Sequence, residues 1–179
     1  ASITVSNSVH TVTILGMDGN DTVTMGNINN TRPLALQVRL GDGADTFNGQ
    51  SSLSNRLPIQ VLGEGGDDTI SGTLNDDILD GGDGDDVISG DRGEDSIRGG
   101  AGNDPLLGED GDDSMIGGAG ADIVLGGDGD DRVSGSGSNS DTVAGNEGDD
   151  LLIGNQASEI DETFTLSNDI LDMLIDTQV

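Results

Sequence analysis

No cysteine occurs in the 179 residues, so neither a disulfide framework nor a thiolate metal site can be built. Aromatic residues are nearly missing: Phe47 and Phe164 are the only two. The large rings that usually dominate core energetics are therefore lacking. Hydrophobic residues make up 31% of the chain, against roughly 45–50% apolar in an ordinary globular protein, which argues against a broad packed core. Positive charge is scarce too. Six Lys and Arg stand against 35 Asp and Glu, a formal charge of -29 that disfavours nucleic acid and anionic membranes as partners and favours cations. No apolar run is long enough to cross a bilayer, which excludes membrane insertion by a helix. The start, ASITVSNSVHTV, has neither a basic leader nor the hydrophobic stretch of a signal peptide, and the chain reads as a processed product or a piece of a larger protein.

Catalytic signatures are also missing. No serine sits in G-x-S-x-G, a lone His10 rules out H-E-x-x-H, and no G-K-[ST] exists for a phosphate loop. The EF-hand spacing is absent despite the wealth of Asp and Gly. Paired acids abound, but general acid–base work needs a cleft that raises one pKa, and exposed acidic turns do not supply one. No enzymatic role is expected.

What is there is periodic. With 31 glycines and so much acid, the composition alone resembles disorder. From Gly63, however, the chain runs in blocks of nine: GEGGDDTIS, GTLNDDILD, GGDGDDVIS, GDRGEDSIR, GGAGNDPLL, GEDGDDSMI, GGAGADIVL and GGDGDDRVS. One ten-residue block, GSGSNSDTVA, follows; register returns with GNEGDDLLI at 145 and decays in GNQASEIDE. Low-complexity disorder does not hold Gly, Asp and an aliphatic residue at fixed offsets over so many blocks.

These blocks resemble the G-G-x-G-x-D-x-U-x nonapeptides of the RTX, or hemolysin-type, calcium-binding family. The resemblance covers residues 63 to 153. It implies an all-β fold, a right-handed parallel β-roll in which the first six residues of each block turn, the last three form a short strand, and two blocks make one coil. Position eight (Ile70, Leu79, Ile88, Ile97, Leu106, Met115, Val124, Val133, Val143, Leu152) is then a thin inward ladder, with positions seven and nine facing water.

With eighteen residues per coil, the position-six aspartates fall into two rows. One holds Asp68, Asp86, Asp104, Asp122 and Asp141; the other holds Asp77, Asp95, Asp113, Asp131 and Asp150. Stacked carboxylates repel, and a bound cation reverses the sign of that interaction. Calcium suits the turns because it takes six to eight hard oxygen ligands in flexible geometry, whereas magnesium demands a tighter octahedron. Without sulfur or imidazole ligands, zinc and copper are disfavoured.

Upstream, TILGMDGNDTVTMG, QVRLGDGADTFNG and IQVLGEGGDDTISG repeat at a longer period, placing Asp21 and Asp45 in the first row at separations of 24 and 23. Wider coils are predicted there, with polar loops at 26–33 and 48–58. Arg32 and Arg56, each close before a proline (Pro33 and Pro58), read as solvated loop tips. His10 reads as a structural or exposed residue. Pro105 removes a ladder donor, and Asn75, at a glycine position, suits a left-handed turn.

The expected layout is one continuous solenoid: wide coils over 1–62, a nonapeptide roll over 63–156 and a capping segment over 157–179. Counting gaps between stacked aspartates gives about eight to ten calcium ions. The expected function is a secreted scaffold that folds on binding extracellular calcium, assembling head to tail in a filament, matrix or surface layer through its ends. The alternative is an accessory module of a larger type I-secreted toxin, enzyme or adhesin. Export from a bacterium by the type I route is what the resemblance implies for localisation.

Overall fold

A computed structural model describes residues 11–25, 35–49, 58–137 and 141–153. Within them the chain is all strand and turn, wound so that odd and even strands fall on opposite sides. One parallel sheet of eight strands contains β1 (Thr11–Asp18), β3 (Ala35–Asp42), β5 (Ile59–Gly65), β7 (Ile78–Asp83), β9 (Ser96–Ala101), β11 (Ser114–Ala119), β13 (Arg132–Ser134) and β15 (Leu151–Ile153). The other, of seven, contains β2 (Thr22–Thr24), β4 (Thr46–Asn48), β6 (Thr69–Ser71), β8 (Val87–Arg92), β10 (Pro105–Asp110), β12 (Ile123–Asp128) and β14 (Thr142–Glu147). Each strand pairs with the one two places on, as a coil of two strands requires.

Register follows the sequence period. Thr11 lies beside Ala35, Leu36 beside Ile59 and Gln60 beside Ile78, so the coil shortens from 24 to 23 to 18 residues. The ten-residue block is taken up without a slip, Ile123 pairing with Thr142 and Arg132 with Leu151. The loops that would widen the first coils, with Arg32, Pro33 and Arg56, lie mostly outside the described residues, as do His10 and the capping segment 157–179.

Alternation sets the core. A strand such as β8 reads exposed, buried, intermediate, buried, intermediate, exposed, so positions eight and one of the repeat face inward. Ile70, Leu79, Ile88, Ile97, Leu106, Met115, Val124, Val133 and Val143 are each at most 2% exposed and stack in two columns. In the wide coils the interior has more room. Leu36, Val38, Leu40, Phe47, Ile59 and Val61 fill it, with Leu40 where the narrow coils carry glycine.

Two expectations need correcting. Strands β7 to β12 and β14 run six residues rather than three, because positions one to three remain in the sheet and positions two and three pair with the neighbouring coil, as Gly82 does with Gly100 and Asp83 with Ala101. Outward positions seven and nine face water as expected, and apolar Ile78, Val87, Ile116 and Ile123 are left 43–51% exposed there. Asn75, finally, is not among the residues with positive φ, so its turn does not adopt the left-handed form.

Pro105 has the local effect its chemistry dictates. At every other position seven from Thr46 to Leu151, Ile78 excepted, the N–H donates to the carbonyl of an aspartate one coil earlier, as Val87 does to Asp68 and Ile123 to Asp104. Proline has no such donor, and the pairing of β10 with β8 begins only at Leu106 and Ile88.

Candidate calcium site

Position six closes each turn, and its side chain points back under the coil. In the row from Asp21 to Asp141, the N–H of each aspartate donates to Oδ1 of the next one along: Asp21 to Asp45 (2.6 Å), Asp45 to Asp68 (2.8 Å), Asp68 to Asp86 (2.8 Å), Asp86 to Asp104 (2.9 Å), Asp104 to Asp122 (3.0 Å) and Asp122 to Asp141 (3.0 Å). The second row begins with the N–H of Ile59 on Oδ1 of Asp77 (2.9 Å) and continues through Asp95, Asp113, Asp131 and Asp150 at 2.7–2.9 Å. Composition suggested only repulsion along these rows. From Asp45 in the first row and Asp77 in the second, one oxygen of each carboxylate is in fact tied to the preceding coil.

A second, outer ladder runs the opposite way. At position five the N–H of Asp85 donates to Oδ1 of Asp67 (3.0 Å), that of Asn103 to Asp85 (2.8 Å) and that of Asp130 to Asp112 (3.0 Å), so the carboxylate now lies on the earlier coil. These exposed acids therefore help to tie successive coils together. Regular spacing at five could have disclosed them; the direction of the bond could not.

The other oxygen of the inner aspartates is different. Asp45, Asp68, Asp86, Asp95, Asp104, Asp113, Asp122, Asp131 and Asp141 each bury Oδ2 with no hydrogen-bond partner. Nine orphaned carboxylate oxygens are far outside what a folded protein tolerates, since each buried unpaired polar group costs on the order of 1–3 kcal/mol and a charged one more. Burial is the main reason the pKa values of seven of them rise from the ordinary 3.8: upward for Asp104, to about 6 for Asp68, Asp113 and Asp122, to about 7 for Asp86 and Asp131, and to about 8 for Asp95. Neighbouring carboxylates of the same row add to the rise, and the N–H bonds oppose it.

Glycine at position one makes room for this oxygen. A Cβ on Gly99 would run into Oδ2 of Asp104 and lie 2.6 Å from the carbonyl oxygen of Gly117. Carboxylate and main-chain oxygens thus line the same small space, without nitrogen or sulfur ligands. Among the described residues no three His, Cys, Asp or Glu side chains gather to hold a metal. The donor set is one carboxylate per turn supplemented by carbonyls, which suits a hard cation that accepts main-chain oxygen, and calcium above all.

Of the twelve aspartates predicted as ligands, the structure aligns all in the two rows. Ten of them, Asp45 to Asp141 together with Asp77, Asp95, Asp113 and Asp131, are at most 3% exposed, Asp150 is 5% exposed, and Asp21, at the first coil, is partly exposed. Asp21 and Asp77 differ chemically, because Oδ2 accepts the N–H of Met17 (3.2 Å) in the first and of Thr73 (2.7 Å) in the second.

A parallel β-roll whose buried turns present unpaired carboxylate oxygen defines a class: solenoids assembled around divalent cations. Consistent with it, the RTX calcium-binding nonapeptide repeat matches in four copies, at residues 62–97, 98–133, 107–140 and 135–158, together more than half of the chain. The chain belongs to the RTX calcium-binding repeat family, and this region is a calcium-binding β-roll module. No curated protein matches the chain.

Proposed function

We propose that the protein is a secreted, calcium-gated scaffold with no catalytic role: loose where calcium is scarce and rigid where it is abundant. The nine orphaned Oδ2 atoms carry this reading. Without a cation they are uncompensated and destabilise the coiled state; with one they become ligands, so binding energy is folding energy. One ion for each orphaned oxygen gives up to nine among the described residues. Extracellular calcium modules bind with dissociation constants of about 10⁻⁴ to 10⁻³ M, weak enough to remain empty in cytosol. That threshold suits a chain exported unfolded by a type I route and folded outside the bacterium.

Assembly through the ends is the second part of the proposal. Each parallel sheet terminates in a strand paired on one side only among the described residues, β1 and β15 in one sheet, β2 and β14 in the other. Parallel edges invite further strands, and a head-to-tail contact that does not close produces a fibre.

Far-UV circular dichroism with and without chelator tests the folding switch. Loss of strand signal in EDTA and its return with calcium is the expected result, and a roll equally ordered after exhaustive chelation overturns the proposal. Electron microscopy of the chain in calcium tests assembly: fibres support the filament, whereas dispersed short rods favour an accessory module of a larger secreted protein.

A further inference from the structure

Eleven of the twelve row aspartates lie in turns with a left-handed residue at position two or four, and the turn of Asp77 does not. In the narrow coils position two has positive φ even when it is not glycine: Glu64 (78°), Asp91 (79°), Glu109 (81°) and Asn146 (82°) join Gly82, Gly100, Gly118 and Gly127. In GTLNDDILD those two positions are Thr73 and Asn75, and neither has positive φ. A β-branched residue strongly resists that region. The chain leaves the sheet instead: β6 stops at Ser71, whereas β8, β10, β12 and β14 continue through position three.

The redirected backbone satisfies Asp77 from within the protein. Thr73 is 2% exposed and its N–H donates to Oδ2 of Asp77 at 2.7 Å, while Ile59 N–H occupies Oδ1 at 2.9 Å. Around it, Asn75 Nδ2 donates to Thr73 Oγ1 (3.3 Å) and Arg92 N–H to the Thr73 carbonyl (3.3 Å). The positive end of the Thr73 N–H dipole therefore faces the oxygen that a cation would otherwise meet. By contrast, Asp95, the next member of the same row, accepts Asp77 N–H on Oδ1 at 2.7 Å and leaves Oδ2 buried without a partner.

We infer that the turn at residues 72–77 is a metal-independent joint, in which Thr73 replaces the calcium ion that the turns of Asp95, Asp113 and Asp131 in this row would take. The position is meaningful. It lies where 23-residue coils give way to 18-residue ones, between the pairings of β4 with β6 and β6 with β8. The narrow roll therefore begins on a turn held by the protein's own hydrogen bonds, on which later, calcium-dependent coils can stack.

This inference rests on calcium binding by the rows, and counting bound ions separates the two. Equilibrium dialysis of the full chain against radioactive calcium at saturation gives the number bound. Asp77→Asn is expected to leave that number unchanged, whereas Asp95→Asn lowers it by one. Replacing both Thr73 and Asn75 by Gly, which frees the backbone to adopt the left-handed turn, is expected to raise it by one. Loss of an ion in Asp77→Asn, or an unchanged count in a folded Thr73→Gly/Asn75→Gly chain, overturns the inference. A wild-type chain that binds no calcium at all overturns the underlying reading instead. Dichroism at saturating calcium verifies that each variant is folded before its ions are counted.

Discussion

The main-chain N–H of Asp95 donates to Oδ1 of Asp113, 2.8 Å away and one coil further along, while Oδ2 of Asp113 is buried and unpaired. A single side chain thus joins two coils with one oxygen and offers the other to a cation. Substituting Asp113→Asn keeps an acceptor for Asp95 but removes the charge. Charge-assisted bonds are roughly twice as strong as neutral ones, so folding at fixed calcium should weaken by about 1–2 kcal/mol. Calcium titration followed by dichroism should show a higher midpoint, and an unmoved one removes Asp113 from the ligand set.

Protonation competes with calcium. Burial first, then the like charges of their row, lift Asp86 to about 7, Asp95 to about 8 and Asp131 to about 7 in the folded chain, from an ordinary 3.8. Because the folded-state values are raised, the contribution to stability is fully present below the ordinary 3.8 and is lost as pH rises from there through the folded values of about 7 to 8. In calcium-free buffer the strand signal should therefore be stronger at pH 5 than at pH 8.5. With calcium present the trend in affinity reverses, since binding requires the ionised form, and the calcium midpoint should be higher at pH 5.5 than at pH 8.

Glycines divide into two kinds. At Gly19, with φ of 110°, a Cβ meets nothing within 4 Å, so Gly19→Ala carries only conformational strain, about 1–3 kcal/mol. Gly102, with φ of 146°, packs against Gly84 so closely that a Cβ would run into its carbonyl oxygen. Gly102→Ala must push two coils apart, and it should raise the calcium midpoint well beyond Gly19→Ala or prevent folding. Similar midpoints for the two would count against close stacking of the coils.

Ile88 is fully buried in the inner ladder, and Ile78, ten residues earlier, is 51% exposed on the outer face. Ile88→Ala should cost about 2–5 kcal/mol, as large-to-small core changes do. Ile78→Ser should stay within about 0.5 kcal/mol, like other surface changes away from special features. Thermal melts in saturating calcium compare them directly; equal losses would mean that the ladder is not the core.

Sequence by itself determined the period, the two rows and the narrowing of the coil. Those features depend on residue spacing alone: eighteen residues return the chain to the same side, and separations of 24 and 23 between Asp21, Asp45 and Asp68 announce wider coils. Contacts between coils were decided only by tertiary structure. Which aspartate oxygen meets the preceding N–H, why Oδ2 of Asp95 is orphaned while that of Asp77 is not, and how far each strand extends depend on backbone torsions and on atoms brought together from residues eighteen apart. Thr73 illustrates the difference: in the linear chain it is one departure from a glycine pattern, and only the fold turns its N–H toward the carboxylate.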